Sequence, residues 1–175
     1  GYWSRGLGDV YKRQVELIIR YMEKATFGAG CFWGVEAAFR KLKGVISTSV
    51  GYMGGHWPNP CYLDVCARVT GHAEVVQIEY YPTIISYEYL LENFWNIHDP
   101  TSLNRQGYDR GEQYRSVIFY HNSTQEKIAR HSKIKMQNSG QYKKDIVTEI
   151  KAASDYYLAE EYHQQYFEKQ KSKQV

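Results

Sequence analysis

The chain has 175 residues, 22 Lys+Arg against 19 Asp+Glu and a formal charge of +3, with 43% hydrophobic and 15% aromatic residues. That is enough apolar material for one well-filled domain and argues against intrinsic disorder. A charge this small and scattered gives no electrostatic case for a nucleic-acid or membrane partner. No run approaches the roughly 18 apolar residues of a membrane span, and the start lacks the apolar core of a secretory signal, so a cytoplasmic protein is expected. Cys31, Cys61 and Cys66 are odd in number, which argues against a disulfide scaffold and leaves at least one free thiol.

Residues 1–14 hold three glycines and show no apolar period or capping signal. They read as an extension outside the fold, native or added, with a single domain over 15–169 and a polar, Lys-rich tail over 170–175. Tyr21 to Phe27 is a short strand running into the turn Gly28-Ala29-Gly30, after which Val35, Ala38, Phe39 and Leu42 recur at helical spacing up to Gly44. Val45 to Tyr52 alternates, with Ile46, Thr48, Val50 and Tyr52 on one face, and Ala73 to Tyr80 alternates again through Val76, Ile78 and Tyr80. Ser86 caps a helix whose apolar face is Leu90, Leu91, Phe94 and Trp95, and Arg115 to His121 has strand character. Ser123 and Glu126 form a capping box for a third helix, and a last strand falls near Ile146 to Ile150. The order implies an α+β fold: a ferredoxin-like split βαβ sandwich with a mixed sheet, two main helices and long functional loops. The connections Met53–His72 and His98–Tyr114 are long enough to direct attention to them.

Cys31 sits where a glycine turn opens a helix, and the free amides and dipole there favour a thiolate; a small buried thiol is the alternative. Phe32 and Trp33 beside it are either core aromatics or a cradle for a small apolar group. Counting by twos from Val76 directs Glu74 inward, where burial would keep it protonated as a general acid, unless the strand begins later and leaves it in solvent. The loop Asp99–Tyr114 is dense in hydrogen-bonding groups and either lies in solvent or carries Asp109, Tyr114 and Arg115 to a site. His56, Cys61, Cys66 and His72 admit a zinc module, although the cysteine spacing is not that of a knuckle, and Cys31 with a histidine admits a hydrolase.

Gly30-Cys31-Phe32-Trp33-Gly34-Val35-Glu36, Gly51-Tyr52 with Gly54-Gly55-His56, Asn59-Pro60, Gly71-His72-Ala73-Glu74, His98 through Gly107, Gln113-Tyr114-Arg115-Ser116 and Glu161-Tyr162-His163-Gln164 occur in one order from about Lys24 to Lys169. Together they resemble the peptide methionine sulfoxide reductases of the A type. The resemblance implies reduction of methionine S-sulfoxide, free or in proteins, and hence repair of oxidised proteins. It implies Cys31 as nucleophile passing through a sulfenic acid, Glu74 as proton donor, Tyr62, Tyr114 and Asp109 around the oxygen, and Phe32 and Trp33 around the methyl group. No metal or bound cofactor is implied, and a monomer is expected.

Many members carry resolving cysteines near the C-terminus, but none follows Cys66 here. Either an external thiol, from glutaredoxin with glutathione or from thioredoxin, reduces Cys31, or Cys61 or Cys66 resolves it from within. Cys66 stands where many relatives keep a cysteine not used for resolution, whereas Cys61 is less usual; the external thiol is favoured.

Overall fold

Val76, Ile78 and Tyr80 alternate with polar residues and are wholly buried at the middle of a six-stranded sheet. The computed structural model describes residues 2–174. In chain order its elements are α1 (Tyr2–Arg20), β1 (Glu23–Ala29), α2 (Phe32–Arg40), β2 (Val45–Met53), α3 (Tyr62–Cys66), β3 (Ala73–Tyr80) and α4 (Tyr87–Asn96). There follow the short strands β4 (Arg105–Gln106) and β5 (Asp109–Arg110), then β6 (Ser116–Tyr120), α5 (Ser123–Asn138), β7 (Glu149–Ala152), β8 (Tyr157–Leu158) and α6 (Tyr166–Ser172). The large sheet has the order β7-β6-β1-β3-β2-β8, and β4 pairs with β5 in a separate hairpin. Its four central strands are mutually antiparallel, and the units β1-α2-β2 and β3-α4-β6 interleave as a split βαβ fold. β7 pairs parallel to β6, which makes the sheet mixed.

One face of the sheet carries the main core. Phe27 lies 5.5 Å from Phe39 of α2 and 5.1 Å from Phe94 of α4, centroid to centroid. Ala129 brings in α5, which joins the two expected main helices. A smaller cluster of Met53, Ala73, Val75, Val117 and Phe119 fills the other face under Ala153 and Tyr156. β3 is therefore buried on both sides, as a central strand should be.

Several boundaries differ from the sequence reading, each for a local reason. Residues 2–14 are not shapeless: they belong to α1, where Leu7, Val10 and Tyr11 recur at helical spacing, although residues 6–14 are exposed. The C-terminal tail starts inside α6, whose Glu168 pairs with Arg40 of α2 at 2.8 Å. β1 runs through Gly28 and Ala29, so the turn begins only at Gly30. A register shift between Val45 and Ser47 rotates Ile46 outward to 41% exposure. Asn122, not Ser123, caps α5, its side chain accepting from the Gln125 N–H at 2.8 Å. The strand expected at Ile146–Ile150 forms at Glu149–Ala152, because the Ile146 and Val147 amides donate instead to Gln137 Oε1 and the Pro100 carbonyl.

Candidate active site

The turn that ends β1 places Cys31. Gly30 is at φ +97, where any other residue is strained, and Cys31 is the cap residue of α2. A side chain at Gly30 would meet Gln106 of the long loop, and Gln106 grips Asp99 with both ends of its amide, accepting from its N–H at 3.0 Å and donating to its carbonyl at 2.6 Å. The His98–Tyr114 connection is thus folded back over the turn that carries Cys31.

Burial pushes the Cys31 thiol up to about 11, against the Trp33 and Gly34 amides, which pull it down, and the nearby Glu74 and Asp109 charges add to the rise. This corrects the expected helix-start thiolate: desolvation outweighs the amides, and Cys31 rests as a thiol at neutral pH.

Glu74 points inward, with 2% exposure. Its strand partner across β2 is Tyr52, and its Oε1 accepts from the Phe32 N–H at 3.1 Å. Burial pushes its carboxyl up to about 8, with the Phe32 amide opposing and the Asp109 charge assisting, so Glu74 is an acid at neutral pH. The strand is held there by the base of the Met53–His72 loop. The His56 N–H donates to the Thr70 carbonyl at 2.9 Å, and the Gly55 N–H donates to His72 Nδ1 at 2.9 Å. Arg115 donates to the carbonyls of Gly71 and Glu112 at 3.0 and 2.9 Å, tying the two long loops together rather than entering the site.

Tyr114 ends a 3-10 turn, Glu112–Tyr114. Burial raises its pKa, and the charges of Glu74, Asp109, Cys66 and Cys31 raise it further. Tyr62 begins α3, and the neighbouring Cys66 thiol together with burial raises its pKa. Asp109 lies exposed on β5. The structure therefore gathers Cys31, Phe32, Trp33, Glu74, Tyr114 and, across Cys66, Tyr62, with Asp109 at the edge. Cys61 is exposed and caps the five-residue α3, its N–H donating to Asp64 Oδ2 at 2.9 Å; Cys66 is half-buried, and all three thiols are free.

Four residues of this wall were given no role from the sequence. Tyr52 donates its hydroxyl to Glu160 Oε1 at 3.2 Å, and the Tyr62 N–H donates to Glu160 Oε2 at 3.1 Å. His163 accepts from the Trp33 indole N–H at 2.9 Å, and Tyr166 stacks on Trp33 at 3.8 Å. The Glu161–Gln164 string flagged the neighbourhood of three of them, but nothing local could say that it folds back 130 residues onto Trp33. The residues of the zinc reading are employed otherwise: His72 bonds Gly55 and, through Nε2, the Trp57 carbonyl at 2.7 Å. Among the described residues no three His, Cys, Asp or Glu side chains are placed to hold a metal ion.

A family model described as peptide methionine sulfoxide reductase matches residues 23–175. The chain belongs to that family. It is 75% identical over 149 residues to the peptide methionine sulfoxide reductase MsrA 1 of Nostoc, covering 85% of this chain and 91% of that one. Among solved structures, reduced Mxr1 from Saccharomyces cerevisiae superposes with a TM-score of 0.78 at 36% identity, covering 86% of each chain. Mxr1 in complex with Trx2 superposes at 0.58 and 26% identity, over 84% of this chain and 86% of that one. The activity is accordingly that of a peptide-methionine (S)-S-oxide reductase, an oxidoreductase of protein repair, and the zinc-module and hydrolase alternatives fall away. No described helix is long and apolar enough to cross a membrane.

Proposed function

We propose that Cys31 attacks the sulfoxide sulfur while Glu74 protonates its oxygen, in a pocket whose methyl-binding wall is Phe32 and Trp33. Tyr62, Tyr114 and Asp109 orient the oxygen, directly or through water. The oxygen passes from the substrate sulfur to that of Cys31, so the sulfoxide is reduced by two electrons to methionine and the thiol is oxidised to a sulfenic acid. An external thiol then condenses with the sulfenic acid, releasing water and leaving a mixed disulfide, which a second thiol cleaves to regenerate Cys31.

The observation that carries this reading is the carboxyl of Glu74, raised to about 8 and bonded at 3.1 Å to the amide of the residue after Cys31. A sulfoxide is a poor electrophile until its oxygen is protonated, and a neutral acid delivers that proton without placing a resting charge in the pocket. Since Cys31 starts as a thiol, the glutamate left after donation accepts its proton, and the buried charge does not change.

An external thiol as reductant is supported by the complex of the yeast relative with Trx2. Three free thiols suit a reducing compartment, and we place the enzyme in the cytoplasm. The reading takes the enzyme as a monomer. The catalytic unit is residues 15–169, and removal of 1–14 is expected to leave turnover intact. The test is a single turnover of reduced protein with excess methionine S-sulfoxide and no reductant, in which about one methionine per chain is expected; none would overturn the reading.

A further inference from the structure

Glu36 lies on α2 one turn beyond Phe32 and Trp33, with 1% exposure. A carboxylate is buried so deeply only where several donors replace water. Here Oε1 accepts from the Gln165 N–H at 2.7 Å, and Oε2 accepts from Gln165 Nε2 at 3.0 Å and from Thr48 Oγ1 at 2.7 Å. Arg40, the nearby cation, does not touch Glu36; it donates to Thr48 Oγ1 at 3.2 Å and pairs with Glu168. Gln165 meets the carboxylate with backbone and side chain together by adopting φ +47, a conformation costly for a non-glycine residue.

The segment held this way is the one that supports the substrate wall. Gln164 spans Val50 in the manner of a paired strand, accepting from its N–H at 2.9 Å and donating to its carbonyl at 2.8 Å. On one side of this double anchor His163 accepts from the Trp33 indole, and on the other Tyr166 stacks on its ring. The indole is held by hydrogen bond and by stacking from a strap that is tied at Gln165 to Glu36.

We infer that Glu36 is a positioning residue for substrate binding, acting through the strap 160–166 to hold the Trp33 indole where it meets the methyl group of the sulfoxide. The inference rests on the proposed role of Trp33. A ring displaced by a fraction of an ångström loses contact with a ligand as small as a methyl group, whereas Cys31 and Glu74, tied through the Phe32 amide, keep their mutual geometry. The loss should therefore appear in KM more than in the chemical step.

The experiment compares Glu36→Gln, Trp33→Phe and the double variant, measuring KM for free methionine S-sulfoxide and the single-turnover rate at saturation, with thermal melts to establish folding. Expected is a KM raised about tenfold in each single variant, a saturating rate within about twofold of the parent, and a double variant no worse than Trp33→Phe. A parental KM in folded Glu36→Gln while Trp33→Phe raises it, or independent multiplication of the two effects, overturns the inference and leaves the proposed wall standing. A parental KM in Trp33→Phe overturns the wall and this inference with it. Should Glu36→Gln not fold, Gln165→Ala carries the test: a raised KM supports the strap, and an unchanged KM overturns it.

Discussion

The N–H of Phe32 donates to the Glu74 carboxyl at 3.1 Å, so the first residue of α2 joins the acid on β3 to the turn bearing Cys31. One hydrogen bond thereby sets the spacing between Cys31 and Glu74, the proposed nucleophile and proton donor. It also favours the ionised carboxylate, and the acid stays protonated at neutral pH only because burial opposes it more strongly.

Replacing Glu74 by Gln keeps the Phe32 bond and removes the proton. Single-turnover methionine formation is expected to fall by about a hundredfold or more, the range for loss of a general acid, and Cys31→Ser to abolish it. Rapid-quench measurement of methionine checks both, and full turnover in Cys31→Ser would falsify the assignment of the nucleophile.

In its proposed role Glu74 works in the protonated form, so kcat/KM is expected to fall as pH rises through about 8. In Glu74→Gln that limb should vanish from the pH profile. A fall at the same pH in the variant would mean that another group sets it.

The same group limits stability. Its folded pKa of about 8 lies above the ordinary 4.5. The native state therefore binds the extra proton between those values, and stability declines as pH rises from 4.5 to 8. At pH 7 the burden is on the order of 3 kcal/mol, and Glu74→Gln is expected to melt higher than the parent, with the gain disappearing below pH 4.5. Calorimetry at pH 4 and pH 7.5 tests this, and equal melting temperatures at both would contradict it.

Cys61 is exposed at the cap of α3, and Cys66 is half-buried at its end, beside Tyr62. After one turnover without reductant, two free thiols per chain are expected together with a sulfenic acid that a dione reagent traps. Cys61→Ser should leave that count one lower and methionine release unchanged. A single thiol remaining in the parent would instead mark internal disulfide formation.

Removing the hydroxyl of Tyr62 or Tyr114 should slow the single turnover by roughly tenfold to a hundredfold, as loss of one donor to a developing oxyanion does. The Tyr62→Phe effect should persist in Cys66→Ala. If it vanished there, Tyr62 would be acting through Cys66.

The local pattern was enough to place much of this enzyme. A glycine turn before Cys31, period-two alternation ending at Glu74 and the Ser86 cap, which accepts from the Tyr89 N–H at 3.1 Å, each depend on neighbours within a few residues and on backbone geometry. Boundaries slipped where another bond competed, as at Asn122 and at the Ile146 amide. The family motifs pointed to the chemistry as well. Protonation states needed the tertiary structure, because desolvation depends on what covers a group from every side: it made Cys31 a thiol against the pull of its own helix, and Glu74 an acid against the Phe32 amide. The strap on Trp33 likewise exists only once β2, α2 and residues 160–166 have met. Sequence by itself determined which groups would be available, and the fold decided which of them are dry, neutral and touching.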